Sequence, residues 1–325
     1  MAGRKLSLNQ ARRVSGRHRR RLAGAENPGE APAGDRRGVV IACFGKKVEV
    51  EDANAPQCVM RCHLRANLES VVTGDRVIWR RDGDAGVVLA RLDRRSELGR
   101  PDTRGRARII AANLDQIVIV IAAEPAPHSS LLDRYLVAAG NAGIDALILL
   151  NKADLGDPDG RLGLLLRPYI AIGYPVLHAS ALDEIGMDEL RNALVGHTTA
   201  FVGQSGVGKS SLISALLPEL AIRIGDLSDA ELKGRHTTTT ARLYHLGGGG
   251  ELIDSPGIRE FSLVHLDTAS TAAGFIEFRP FLGRCRFRDC EHRDEPGCAV
   301  REAVEEGTVS ALRYAGYLHI IGVRQ

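Results

Sequence analysis

No apolar run in this chain comes near the roughly 20 residues that a bilayer-spanning helix needs; runs such as Ile117-Val118-Ile119-Val120-Ile121 and Ala146-Leu147-Ile148-Leu149-Leu150 are of strand length. A transmembrane helix is excluded, and the amino terminus has no apolar stretch of the secretory kind. Cysteine is sparse, six in 325 residues, so the chain is not a small module stapled by disulfides. Acidic residues are missing before Glu26, while Arg12, Arg13, Arg17, Arg19, Arg20 and Arg21 crowd the same stretch. Organelle transit peptides share that composition, but a basic, mostly disordered tail is the plainer reading, and the cytoplasm is the expected compartment. No internal repeat is present.

At 325 residues there is room for two or three domains. The overall charge of +3 hides an uneven distribution. Residues 1 to 110 carry 24 basic and 13 acidic side chains, net +11, which leaves 19 and 27, net −8, for the remainder of the 43 and 40. A basic front on an acidic body suggests a polyanionic partner, most simply nucleic acid.

Residues 1–36 read as the tail, closing on the Pro/Gly/Ala-rich stretch 27–34. Over residues 37–97, short β-branched runs at 38–41, 47–50, 71–79 and 86–90 alternate with turn signals, which predicts a small closed barrel of the oligonucleotide-binding type. Residues 98–113, with Arg100, Arg104, Arg106 and Arg108, form a basic linker. From Leu114 buried strands alternate with helices, the pattern of a parallel α/β sheet covered on both faces. Strands are expected at 114–123, 145–150 and 200–202, with helices at 131–142 and 209–217. This nucleotide domain spans 114–270, and residues 271–325 form a separate metal-binding segment with helices at 299–306 and 310–319.

Gly203-Gln204-Ser205-Gly206-Val207-Gly208-Lys209-Ser210 matches the phosphate-loop pattern between an apolar strand and an amphipathic helix. Its glycines let backbone N–H groups curl around phosphates, Lys209 supplies charge, Ser210 offers a hydroxyl to magnesium, and Ser211 belongs to the same binding turn. Asn151-Lys152-Ala153-Asp154 names the base. Asp154 can accept from the N1–H and 2-amino group of guanine, which adenine does not offer; Asn151 can donate to the purine edge, and the Lys152 stem can lie over the ring. Ser180 and Ala181 follow a second strand and complete the guanine pocket. Asp254, in Asp254-Ser255-Pro256-Gly257, can hold magnesium through water, the Gly257 N–H can sense the γ-phosphate, and Thr238, with Thr237 close behind, can supply a second metal ligand. The base-reading tetrapeptide stands about fifty residues before the phosphate loop, the reverse of the Ras-like order. Read cyclically the order is restored, so the fold is expected to be a circularly permuted GTPase. The carboxyl-terminal segment then follows directly on a loop that moves upon hydrolysis.

The residue after Gly257 is Ile258, where Ras-like enzymes place a water-orienting glutamine. Intrinsic hydrolysis should be slow and the missing group supplied elsewhere. His236, in the threonine-bearing switch, is a candidate because neutral imidazole can orient water, set against a loop histidine that only packs.

Cys285-x₄-Cys290-x-His292-x₅-Cys298 places four soft ligands within fourteen residues, the donor set of one structural zinc ion. Arg284, Arg286, Arg288 and Arg293 around it suit RNA phosphates. Cys43, Cys58 and Cys62 lack a convincing fourth ligand and read as barrel residues.

Together these motifs, with Ala111-Ala112-Asn113-Leu114-Asp115, Gly234 to Thr240 and Asp254 to Phe261, closely resemble the bacterial ribosome small-subunit-dependent GTPase family (RsgA, also called YjeQ) over residues 38 to about 320. The resemblance implies a barrel, a permuted GTPase and a zinc domain that act late in maturation of the small ribosomal subunit. It also implies hydrolysis stimulated by that subunit and its rRNA and coupled to release, by a chain expected to be monomeric and off the membrane. An apolar residue at the Ile258 position is family practice. Two other classes stay open on sequence: a nucleotide-gated RNA-binding scaffold that hydrolysis only resets, and a phosphate-loop ATPase or kinase, against which Asn151 to Asp154 argues.

Overall fold

The structure, a computed structural model, describes residues 34–66, 68, 70–101, 107–218, 241–254 and 266–322. Its chain divides into two compact units, one made mainly of residues up to Arg95 with Ala111–Asn113 and 241–243, the other of the rest.

Five strands build the first unit: β1 (Asp35–Phe44), β2 (Lys47–Asp52), β3 (Ala55–Leu64), β4 (Arg76–Asp82) and β5 (Ala85–Arg91). They pair in the closed order β1-β2-β3-β5-β4-β1, antiparallel except for β3 against β5. Closure removes every sheet edge, and the small closed barrel expected from the spacing of the β-branched runs is present, with five strands. Inward-facing Val40, Val48, Val50, Cys62, Val77, Trp79 and Val88 form its core. Trp79 is 1% exposed, and the Gly38 and Gly86 backbones lie so close to its indole that a Cβ at either would come within 3.0 Å of the ring. Strand β3 has no counterpart in the sequence expectations. Most of its side chains face solvent, and Pro56 and Gln57 (φ 73°) break the alternation that marks a strand.

In the second unit, β6 (Glu97–Pro101) and β7 (Ala107–Ala112) pair as a two-stranded ribbon within the stretch read as a linker. The main sheet holds β8 (Gln116–Ala122), β9 (Asp145–Asn151), β10 (Val176–Ala179), β11 (Thr198–Val202) and β13 (Glu251–Asp254), with β12 (Arg242–His245) preceding β13 in the chain. All five are parallel, in the order β10-β9-β8-β11-β13. Helices α1 (Ser129–Ala142), α2 (Arg161–Ala171) and α3 (Met187–Leu194) make the crossovers, and α4 (Lys209–Leu216) leaves β11. From β8 the chain adds β9 and β10 on one side, then returns to place β11 on the other. The direction of winding therefore reverses between β8 and β11, and crevices at such switch points, outside the carboxyl ends of the strands, bind ligands. Counted from β11, the order is that of a sheet whose first strand carries the phosphate loop, whose β13 carries the Asp254 motif and whose fifth strand, β9, carries the base motif. The permutation is thus visible in the strand order.

Three further helices, α5 (Thr268–Gly274), α6 (Ala299–Glu305) and α7 (Ala311–Gly322), close this unit. Phe275, Phe278 and Tyr317 are fully buried at their centre, with Phe275 and Phe278 stacked at 4.9 Å and Tyr317 edge-on to both. Val137 of α1 belongs to the same core, and Asn141 of α1 donates to Ser270 O at 3.0 Å, so these helices pack directly on the nucleotide domain. A buried ionic cluster locks them there. Arg313 of α7 pairs with Asp133 of α1 and, at 2.6 Å, with Glu277, while Tyr169 of α2 donates to Asp133 at 2.8 Å.

Candidate nucleotide site and metal centre

Strand register brings the transposed motifs to one edge of the sheet. Ala122 of β8 and Ala179 of β10 both pair with Asn151 of β9, so the segments that follow these three strands leave the sheet side by side. Val202 of β11 is level with Ile119 of β8, which sets the phosphate loop beside them. On the far side, Thr199 pairs with Leu252, and carrying that register on two residues places Asp254 beside Phe201. Ser180 and Ala181 thus begin next to Lys152, and Asp254 ends level with the entry to the loop.

Within the loop Gly203, Gly206 and Gly208 take φ values of 140°, 84° and 92°, open to glycine and strained for other residues. Gly203 also has no room for a side chain, because its Cβ would fall on the Val120 carbonyl. Gly208 precedes α4 in a left-handed conformation with no side-chain cap, so the first N–H groups of that helix stay directed at the crevice. Lys209 is buried, and its Nζ donates to Gly203 O at 2.7 Å and to Gln204 O at 2.5 Å. Ser205, Ser210 and Ser211 are exposed along the rim, and Val207 is fully buried beneath it.

Asn151 joins the two motifs. Its Nδ2 donates to the Val207 carbonyl at 2.8 Å, across 56 residues of chain, and its buried Oδ1 has no partner among the described residues. Lys152 adopts a left-handed backbone (φ 58°) that turns its side chain toward the loop, and its Nζ donates to Glu124 O at 2.7 Å. Ala153 and Asp154 lie in a short 3-10 turn, with the Asp154 carboxylate exposed at the mouth. Ser180, 1% exposed, accepts from the Leu182 and Asp183 N–H groups, which ties its own loop into a tight turn beside Ala181.

Sequence reasoning missed the segment after β8. Carbonyls of Glu124, Pro125 and Ala126 receive Lys152 Nζ and the Gln204 Nε2 donors at 3.0 and 3.2 Å, so this turn braces both nucleotide motifs. Its only sequence signal is the proline spacing Glu124-Pro125-Ala126-Pro127 after a buried strand. His236, Thr237, Thr238, Gly257 and Ile258 lie outside the described residues.

Cys285, Cys290, His292 and Cys298 converge, with their ligand atoms all within 4.8 Å of one another. His292 Nδ1 stands 3.5, 3.5 and 3.4 Å from the three sulfurs, and Cys285 Sγ lies 4.0 Å from Cys298 Sγ. Bond lengths of about 2.3 Å for zinc–sulfur and 2.0–2.1 Å for zinc–nitrogen make tetrahedral edges of about 3.8 and 3.5 Å, close to these spacings. Burial pushes the Cys290 thiol up to about 12 and lowers the His292 imidazole; a bound cation would reverse the first by holding cysteine as thiolate and would use the neutral imidazole as it stands. Tyr314 and Tyr317 brace the knot by donating to the carbonyls of His292, at 2.8 Å, and Glu291, at 2.6 Å.

A parallel sheet wound around a phosphate loop, with a guanine-type tetrapeptide hydrogen-bonded to that loop in permuted order, defines the class: a circularly permuted GTPase. A family model described as RsgA GTPase matches residues 91–264. Over 98% of its length, and 93% of the relative's, the chain is 54% identical to the small ribosomal subunit biogenesis GTPase RsgA of Pseudomonas aeruginosa. Among solved structures it is similar to YjeQ from Thermotoga maritima, with a TM-score of 0.74 and 32% identity over 89% of this chain and 98% of that one. It is also similar to YloQ, a circularly permuted GTPase, with a TM-score of 0.71 and 29% identity over 90% and 97%. The chain belongs to the RsgA GTPase family and is a GTP hydrolase.

Proposed function

We propose that this GTPase acts in the cytoplasm as a monomer late in maturation of the small ribosomal subunit, that the subunit and its rRNA stimulate hydrolysis, and that hydrolysis releases the protein. The hydrogen bond from Asn151 to Val207 carries the nucleotide part of this reading, because it ties a guanine-reading turn to a phosphate-binding turn. Guanine sits against Asn151, Lys152, Ala153 and Asp154, with the Ser180–Ala181 turn at its edge. The phosphates lie along residues 203–211, with Lys209 moving its ammonium from loop carbonyls to phosphate oxygens. Magnesium, which neutralises phosphate charge when bound with GTP, would be held by Ser210, Asp254 and Thr238. Gly257 senses the γ-phosphate, and His236 orients the attacking water. One zinc ion fastens Cys285, Cys290, His292 and Cys298, a structural role consistent with four protein donors and no open position.

Support for the ribosomal part comes from the named relative and from the basic front of the chain. The domains read from the sequence are a basic tail to 36, an RNA-binding barrel at 37–97, a linker at 98–113, the GTPase at 114–270 and the zinc segment at 271–325, although the first barrel strand begins at Asp35 and a two-stranded ribbon occupies much of the linker. GTP turnover titrated with purified small and large subunits tests the reading. Stimulation by the small subunit alone is expected, by about 10³ to 10⁵ if a partner supplies groups to the transition state as in related chemistry. Equal rates with both subunits, or none, would refute it. His236→Ala should lose most of the stimulated rate.

A further inference from the structure

Between Cys285 and Cys290 the chain reads Arg286-Phe287-Arg288-Asp289. Both ends of this loop are fastened by ligand cysteines, and the Arg286 N–H donates to Gly297 O at 2.9 Å. Gly297 (φ 71°) leaves just enough space for that approach, since a Cβ there would stand 3.1 Å from Arg286 Cβ. On this rigid loop Phe287 is 43% exposed, whereas Phe275 and Phe278, a few residues upstream, are fully buried. The Arg286 guanidinium lies 5.6 Å from the Phe287 ring centroid and steadies the ring by a cation–π contact. Arg284, Arg286 and Arg288 are all exposed and make no ion pair or side-chain hydrogen bond among the described residues.

An aromatic ring held open to water by a rigid loop, among unpaired guanidinium groups, has the features that capture an unstacked nucleobase: a π-face for the base and fixed cations for the flanking phosphates. An acidic peptide would use the arginines and leave the ring idle. Paired RNA presents phosphates but no free base face. We propose that Phe287, backed by Arg286, is a stacking platform for one unpaired RNA base, with Arg284 and Arg288 on the adjoining phosphates. This rests on the small-subunit reading above and specifies the form of RNA the zinc loop takes.

The test uses the full-length, zinc-loaded protein with a 12-nucleotide oligouridylate and a blunt RNA duplex as probes. Trp79 is buried in the barrel and is the only native tryptophan, so a Phe287→Trp variant adds one exposed reporter. Its added emission should be quenched as oligouridylate binds, with affinity at least equal to that of the unaltered chain. Phe287→Ala should weaken oligouridylate binding by about 5- to 150-fold, the alanine-scan range for one stacked base, without changing the salt slope or duplex affinity. Arg288→Ala should instead reduce the salt slope by about 0.7, one single-strand phosphate contact. If the added emission of the Phe287→Trp variant stays unquenched at saturating oligouridylate, the platform is overturned, whatever other surfaces bind RNA. So it is by an equal loss on duplex and single strand, or by a loss of subunit binding with oligouridylate affinity intact, which would assign Phe287 to a protein contact. Zinc content of one per chain in each variant verifies that the loop is folded. Stimulation of unaltered protein by small subunits, run in parallel, separates failure of this site from failure of the broader reading.

Discussion

Asn151 Nδ2 donates to the backbone carbonyl of Val207 at 2.8 Å, so a side chain from the end of β9 holds the phosphate loop that follows β11. The two residues lie 56 apart in sequence, and the Asn151 amide fills the space where Gly208 would otherwise carry a Cβ. The segments proposed to read the base and to bind the phosphates are thereby mechanically joined.

Asn151→Ala leaves the buried Val207 carbonyl without this donor, which costs about 1–3 kcal/mol. Lower stability by urea unfolding, together with weaker GDP binding, is the expected outcome. Asn151→Asp should be worse than alanine for folding, because a carboxylate would face the carbonyl oxygen. Unchanged GDP affinity in Asn151→Ala would separate the base motif from the loop.

The Cys285, Cys290, His292 and Cys298 cluster, the proposed zinc knot, shares one core with the helices around it, in which Cys298 precedes α6 and Tyr314 and Tyr317 reach back to the cluster. Chelation or Cys298→Ser should therefore lower the melting temperature of the GTPase unit as well as remove the ion, since α5 and α7 pack on α1. Metal analysis and calorimetry check this. An intact melting transition in metal-free protein would show the knot to be incidental to folding.

Arg313 is buried between two carboxylates and over the rings of Tyr169 and Phe275, at 4.9 and 4.5 Å. Gly316 on the same helix is required, because a Cβ there would collide with Asp133. Removing one partner leaves buried charge uncompensated, so Arg313→Met should destabilise by about 3–5 kcal/mol, and Arg313→Met with Asp133→Asn by less than the sum. A double-mutant cycle by urea unfolding measures the coupling, and additivity would deny it.

Two carboxylates share that single guanidinium. Burial pushes the Asp133 carboxyl up to about 6, although the Arg313 charge pulls the other way. A folded value above the ordinary 3.8 means that the native state holds this proton more tightly than the unfolded chain. The contribution to stability is full below pH 4 and is lost as pH rises to about 6, amounting to about 1 kcal/mol between pH 5 and pH 7. In Asp133→Asn that part of the pH dependence should vanish from unfolding curves.

Much of this architecture is legible in the chain. The β8, β9 and β11 strands, α1, α4, α6 and α7 follow from apolar runs and turn signals, and the meeting of Asn151 with the 203–210 loop and of Cys285, Cys290, His292 and Cys298 with one another from motif spacing. Strand β3 was not legible, because a barrel can recruit a mostly exposed, proline-bearing segment through pairing with β2 and β5 and not through its own alternation. Nor was the brace at Glu124 to Ala126, which acts through backbone carbonyls that any residue carries. The Asp133–Arg313 cluster joins residues 180 apart, each ordinary in its local sequence.

Competition of guanine and adenine nucleotides for a fluorescent GDP analogue bears most directly on the permuted guanine site. GTP and GDP should displace it about 10⁴-fold better than their adenine counterparts, and Asp154→Asn should shift preference to xanthine nucleotides. Equal displacement by ATP and GTP, or an Asp154→Asn variant that still prefers guanine, would contradict the account.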